Sequence, residues 1–168
     1  DLHQKYANYI GNKPIDDISA GAMIAESLIQ EALKKNMRDE DGNIYMLAYS
    51  GVHKTSFSLN RVKGLMQVLE RYPEVTLLQD IPTDWSAERA RVTTPKLIMR
   101  YKDKKIAIIW CANTALATGT VEAMKALGKK SGSDYVTAGI DWDIGIMTKI
   151  TDGEILSAAG GHVANLGW

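Results

Sequence analysis

Short apolar runs begin at Ile44, Val75, Ile106 and Tyr135, an interval of about thirty residues each time. That interval holds one strand and one helix, and its repetition predicts successive βαβ units on a parallel sheet. An earlier run, Tyr6–Ile10, precedes the first long helix. The units share pattern and not residues, so this is a beat of architecture and not a sequence repeat. The run Ile106–Cys111 is apolar at every position, as expected of a strand buried on both faces. The expected fold is α/β: an open parallel sheet of about five to six strands with helices on both faces, a Rossmann-like lobe.

The segments between the runs read as helices. Residues 18–35 place Ile18, Ala22, Ala25, Leu28, Ile29 and Ala32 on one stripe, with Asp16 or Asp17 as the N-cap. Residues 57–71 carry Leu59, Val62, Leu65, Met66 and Leu69. Residues 86–101 contain Pro95, which predicts either a kink or two short helices. Residues 114–127 end at Gly128, a C-cap signal. A short helix at 143–150 precedes the Asp152–Gly153 turn, and a last strand is expected at 154–159.

Twenty basic residues balance twenty acidic ones. No basic field points to nucleic acid or to an anionic membrane surface, and no apolar stretch reaches the length of a membrane span. The single cysteine, Cys111, lies inside an apolar run and reads as a small core residue. With one thiol there is no internal disulfide, and no metal-ligand cluster accompanies it. The three histidines are scattered, and neither a Gly-x-Ser-x-Gly elbow nor a His-Glu-x-x-His helix is present. Gly51–Thr55 is half of a phosphate loop, with His53 where the second glycine would stand. Enzymatic chemistry, metals and cofactors are therefore not expected. The first residues run straight into a strand-like segment and the chain stops at Trp168 just after another. The expectation is a single α/β lobe over 1–168, a fragment of a larger protein.

In a parallel sheet every strand-to-helix loop opens on one edge, and ligands bind there. The loops of that kind hold the unusual residues: Gly51–Thr55, Thr83–Ser86, Ala112–Thr114 and Asp141–Asp143. Arg61, Trp85, Asn113 and Asp141 are thus expected on one rim. A carboxylate accepts hydrogen bonds from hydroxyls, an amide both donates and accepts, and a guanidinium supplies a fork of donors. Trp85 and Trp142 offer flat faces to the C–H face of a sugar ring. Each residue has a plainer role as well. Asp141 and Asn113 are candidate helix caps, Arg61 a surface ion-pair partner, and Trp85 an apolar staple at a helix start.

The order of these motifs resembles the carboxy-terminal lobe of the type I periplasmic binding proteins, the sugar-binding group of bacterial solute receptors. CANTALATGTVEAMKALGK resembles that family's asparagine followed by a small-residue run and Ala-x-x-x-x-Gly. Ala138-Gly139-Ile140-Asp141 resembles its Gly-Phe/Ile-Asp strand end, and Asn60–Gly64 its Arg-x-x-Gly helix. Tyr72-Pro73-Glu74-Val75 followed by Asp84-Trp85 resembles the strand and aromatic that come next. Asp152–Ala158 resembles its Asp-Gly-x-Leu-x-Ala strand, and Asp16–Gly21 its opening helix.

The resemblance implies ligand contacts at Arg61, Trp85, Asn113 and Asp141, with Trp142 and His162 near the same rim, and stacking of a sugar on Trp85. It also implies a periplasmic location, a missing amino-terminal lobe, hinge closure on a small polar ligand, and a membrane permease or a sensor kinase as partner. Transport is favoured over a kinase-coupled or quorum-sensing sensor, and the effector domain of a sugar-responsive repressor comes third. Thr114 stands where the family has aspartate, Trp142 where it has a small residue, and Gly160-Gly161-His162 where it often has a polar contact.

Overall fold

A computed structural model describes residues 16–160. The expected strand at Tyr6–Ile10 and the residue His162 lie outside the described residues. Within them the chain runs α1 (Asp17–Lys34), β1 (Ile44–Ser50), α2 (Ser56–Leu69), β2 (Val75–Pro82), α3 (Ala87–Arg100) and β3 (Ile106–Cys111). It continues as α4 (Thr114–Ala126), β4 (Val136–Ile140), α5 (Ile144–Thr151) and β5 (Ser157–Ala159).

The five strands form one sheet in the order β2-β1-β3-β4-β5, parallel throughout. The chain leaves β1 outward to β2, then crosses back to β3. Strand order therefore reverses at β1/β3, the point where doubly wound sheets open a crevice at their carboxyl edge. The register levels that edge: Ser50 pairs with Pro82, Tyr49 with Cys111, and Ile140 with Ala159. The four strand-to-helix loops consequently start side by side.

β1 and β3 are buried at every position, because helices cover both faces. α1 and α2 pack together on one face, α3 and α4 on the other. The core is one contiguous cluster around Leu47, Tyr49, Ile108, Ile109 and Trp110, with Ile24, Leu28 and Ile29 of α1 packed into it. Cys111 is fully buried there, as its apolar run predicts, and burial pushes its thiol up to about 12.

Two expectations need correction, and one pair of alternatives is decided. Of a kink or two short helices at Pro95, α3 keeps the single helix through the proline, and the residue before it, the buried Thr94, donates its hydroxyl to the Ala90 carbonyl. β5 begins at Ser157, because the α5–β5 turn runs through Ile155, whose amide, like that of Glu154, donates to the Lys149 carbonyl. The buried face of α2 keeps only part of the expected stripe. Leu65 is buried and Val62 and Leu69 pack against the core, whereas Leu59 and Met66 are exposed; Ser58, Arg61, Gly64 and Val68 complete the buried set. A Cβ on Gly64 would stand 2.0 Å from the Ile18 carbonyl oxygen, and one on Gly21 would stand 2.1 Å from the Arg61 carbonyl oxygen. The two glycines let the backbones of α1 and α2 touch, and that contact acts together with the buried Leu65 and Val68 in selecting the face.

Candidate functional site

Arg61, Trp85, Asn113 and Asp141 meet at the carboxyl edge, across the ends of β1, β3 and β4. Arg61 lies near the start of α2 and is only 7% exposed. Its Nε donates to Asp17 Oδ1 at 2.9 Å, and its Nη1 donates to the Ala112 carbonyl at 2.6 Å. Its Nη2 is 3.8 Å from Asp141 Oδ1. One guanidinium thus ties the first turn of α1 to the ends of β3 and β4. It is no surface ion-pair partner: a buried charge is tolerable only when paired and hydrogen-bonded, and here it is both.

Asp141 is freed for other work because it does not cap α5. Asp143 does that, accepting from the Ile146 amide at 2.8 Å. The Asp141 amide donates to the Ala159 carbonyl, which fixes its backbone at φ 109°. This is a costly conformation for a non-glycine residue, and such residues concentrate at functional sites. The carboxylate remains 47% exposed. Partial burial raises its pKa, Arg61 pulls it back down, and Asp17 and Asp143 push it up again.

Asn113 does cap α4: its Oδ1 accepts from the Leu116 amide at 2.8 Å. Its Nδ2 also donates to the Trp85 carbonyl at 3.1 Å, which leaves one amide hydrogen unassigned. Trp85 is the second strained residue of the rim, at φ 69°. Four neighbours hold it there. The Thr83 hydroxyl accepts from its amide and Asn113 takes its carbonyl. The Arg61 guanidinium lies 5.6 Å from its ring centroid, and the Phe57 ring lies at 5.4 Å. The indole lies over Gly51, where a Cβ would come within 1.7 Å of Cζ2. Trp142, next to Asp141, is 52% exposed and rests its edge against Gly160.

Sequence reasoning missed two members of this site. Asp17 reads as one of two interchangeable caps. Asp16 performs the capping, accepting from the Ser19 amide, and leaves Asp17 to Arg61. The spare second carboxylate was the signal, but its partner is 44 residues away. Phe57 carried no signal beyond its place in a loop-to-helix junction. No set of three His, Cys, Asp or Glu side chains converges into a metal site among the described residues. None of their helices is long and apolar enough to cross a membrane. A cavity of about 420 Å³, lined by Val121, Lys125, Tyr135 and Glu154, opens on the opposite edge and takes no part in the rim.

The arrangement can accept hydroxyl hydrogens at Asp141, donate from Asn113, and lay a ring against Trp85. Fold and rim together define one lobe of the doubly wound α/β class, with its polar groups at the topological switch point. The chain belongs to the periplasmic binding protein domain family, whose model matches residues 8–168. The galactofuranose-binding protein YtfQ of Escherichia coli (strain K12) is 22% identical over 147 residues, covering 87% of this chain and 44% of that protein. A xylitol-binding protein of Mycolicibacterium smegmatis is 27% identical over 119 residues, covering 71% of this chain and 32% of that protein. A solved periplasmic sugar-binding protein from Pseudomonas fluorescens superposes with a TM-score of 0.79 at 29% identity, covering 96% of this chain and 47% of that one. The chain spans less than half the length of the curated relatives it matches.

Proposed function

We propose that this chain is a ligand-binding lobe of a periplasmic receptor for a sugar or sugar-like solute, non-catalytic and serving an ABC import system. The observation that carries the reading is the meeting of Asp141, Asn113 and Trp85 on one open rim, organised by the buried Arg61. A polyhydroxylated ring has hydroxyl donors for a carboxylate, acceptors for an amide, and a C–H face for an indole. The relatives that match are named for a galactofuranose, a xylitol and a sugar, which supports that ligand class. A second lobe would close over the rim by hinge motion, and a membrane permease would receive the loaded receptor. Trp142 and His162 remain candidates for contacts at the margin.

The test is native mass spectrometry on the full-length protein purified from its host. The expected result is a bound small polyhydroxylated molecule that is lost, with the fold intact, in Asp141→Ala. Full occupancy retained in Asp141→Ala would show that the carboxylate is not part of the grip.

A further inference from the structure

The cluster holds two carboxylates against one guanidinium. Arg61 is the one cation among the described residues within ion-pair distance of Asp141. Its Nε is engaged by Asp17, whose side chain is only 16% exposed, and its Nη1 by a backbone carbonyl. A third carboxylate, Asp143, stands two residues beyond Asp141 at the start of α5. His53 is another titratable cation near this edge that acts on a carboxylate, and that carboxylate is Asp80 on the outer strand β2. Lys54 of the β1–α2 loop and Arg89, which acts on Asp84, also belong to this edge, and neither is within ion-pair distance of Asp141. Around Asp141, therefore, carboxylates outnumber cations, and the one guanidinium within reach is already committed.

We propose that Asp17 is a positioning residue that sets the charge selectivity of the site: by engaging Arg61 it reserves Asp141 for hydroxyl donors and turns away carboxylated ligands. This rests on the receptor reading above and narrows its ligand to an uncharged polyol or sugar. Discrimination of this kind comes from what the site refuses as much as from what it binds. A ligand carboxylate beside Asp141 would meet that charge with the neighbouring guanidinium already engaged by Asp17 and the Ala112 carbonyl. The cost of placing like charges together in a partly desolvated site is large. With Asp17 neutral, the Arg61 guanidinium would carry a charge balanced by Asp141 alone, and an incoming acid could compete for its Nη2 edge.

Two measurements on the full-length protein test this, comparing wild type, Asp17→Asn and Asp17→Glu. Asparagine keeps the size of the side chain and its acceptor for Arg61 Nε, so the fold is retained; glutamate restores the charge. The first is ¹⁵N NMR of the Arg61 Nε–H group during titration with acetate. Wild type and Asp17→Glu are expected not to respond, and Asp17→Asn to show a saturable shift. The second is calorimetry with D-galactose and D-galacturonate, which differ only in the oxidation state at C6. The ratio of galacturonate to galactose affinity is expected to rise about tenfold or more in Asp17→Asn and to return in Asp17→Glu. A purely structural role would weaken both sugars together and leave the ratio unchanged. An acetate response in the wild type, no response in Asp17→Asn, or an unchanged ratio overturns the proposal. A wild-type protein that takes neither sugar counts against the receptor reading for these probes, while the acetate titration still decides the role of Asp17.

Discussion

Asp141 was legible because of where it falls. A carboxylate directly after a buried strand, in a loop on the carboxyl edge of the sheet, reaches the open rim. What the sequence hid was the residue that leaves it free, since Asp143 and Asp141 are equally plausible caps for α5 until the backbone is seen. Its titration has a consequence for stability. Burial raises the folded-state pKa more than Arg61 lowers it. The folded protein therefore binds the proton more tightly than the unfolded chain, and this group's contribution to stability falls as pH rises through the window between the two values. At neutral pH the charged side chain is a net cost to the fold. Asp141→Asn removes that cost, so its melting temperature at pH 7 should equal or exceed the wild-type value. The difference should shrink as pH falls through about 3.9, the ordinary aspartate value, below which the carboxyl becomes protonated in the folded and unfolded chains alike. Affinity should fall at the same time, the separation expected when a residue is retained for binding and not for stability. Thermal melts between pH 3 and 8 check this; an Asp141→Asn protein clearly less stable than wild type at pH 7 would contradict it.

At the scale of elements, the thirty-residue beat was enough to place four of the five strands and the helices between them, because strands buried on both faces announce themselves as unbroken apolar runs. The faces of the helices were less legible, and α2 shows why. Apolar periodicity put Leu59 and Met66 inward, yet 53% and 46% of their surfaces remain exposed. The helix instead buries Arg61 and Gly64, a cation and a residue without a side chain. Periodicity counts apolar area, and it is blind to a contact made by backbone through two glycines or to a charge neutralised by a distant carboxylate. Gly21 and Gly64 are what bring Arg61 within reach of Asp17, so packing and site are one feature here. Gly64→Ala tests that link. The added methyl would meet the Ile18 carbonyl at 2.0 Å, a backbone atom that has no rotamer to give way. Overpacking of this kind costs about 1–3 kcal/mol, against a gain of about 1 kcal/mol in helix propensity. Urea denaturation should show a net loss of stability. Ligand affinity of the full-length protein should drop as well, because α1 and α2 separate and the Arg61–Asp17 bond lengthens. A variant as stable as wild type that also binds as well would show that the close approach is incidental.

For the molecule as a whole, the proposed receptor reading makes the rim a single jaw. The core is one contiguous cluster that needs no second lobe to bury it, so residues 1–168 expressed alone should melt cooperatively. Binding is another matter. Sites for small ligands bury about 70–90% of the ligand surface, whereas a rim on one sheet edge covers one face and leaves the other in water. A micromolar complex is worth about −8 kcal/mol and a millimolar one about −4 kcal/mol. Losing half of the contacts does not halve this figure, because the translational and rotational cost of holding the ligand is undiminished. The isolated chain should therefore bind at millimolar strength or weaker, even where the full-length receptor binds at micromolar strength. Calorimetry of the folded chain against a panel of pentoses and hexoses should give no saturable heat at concentrations that saturate the full-length protein. Micromolar binding by the chain alone would mean that Asp141, Asn113 and Trp85 form a complete site, and that the second lobe contributes closure but little of the grip.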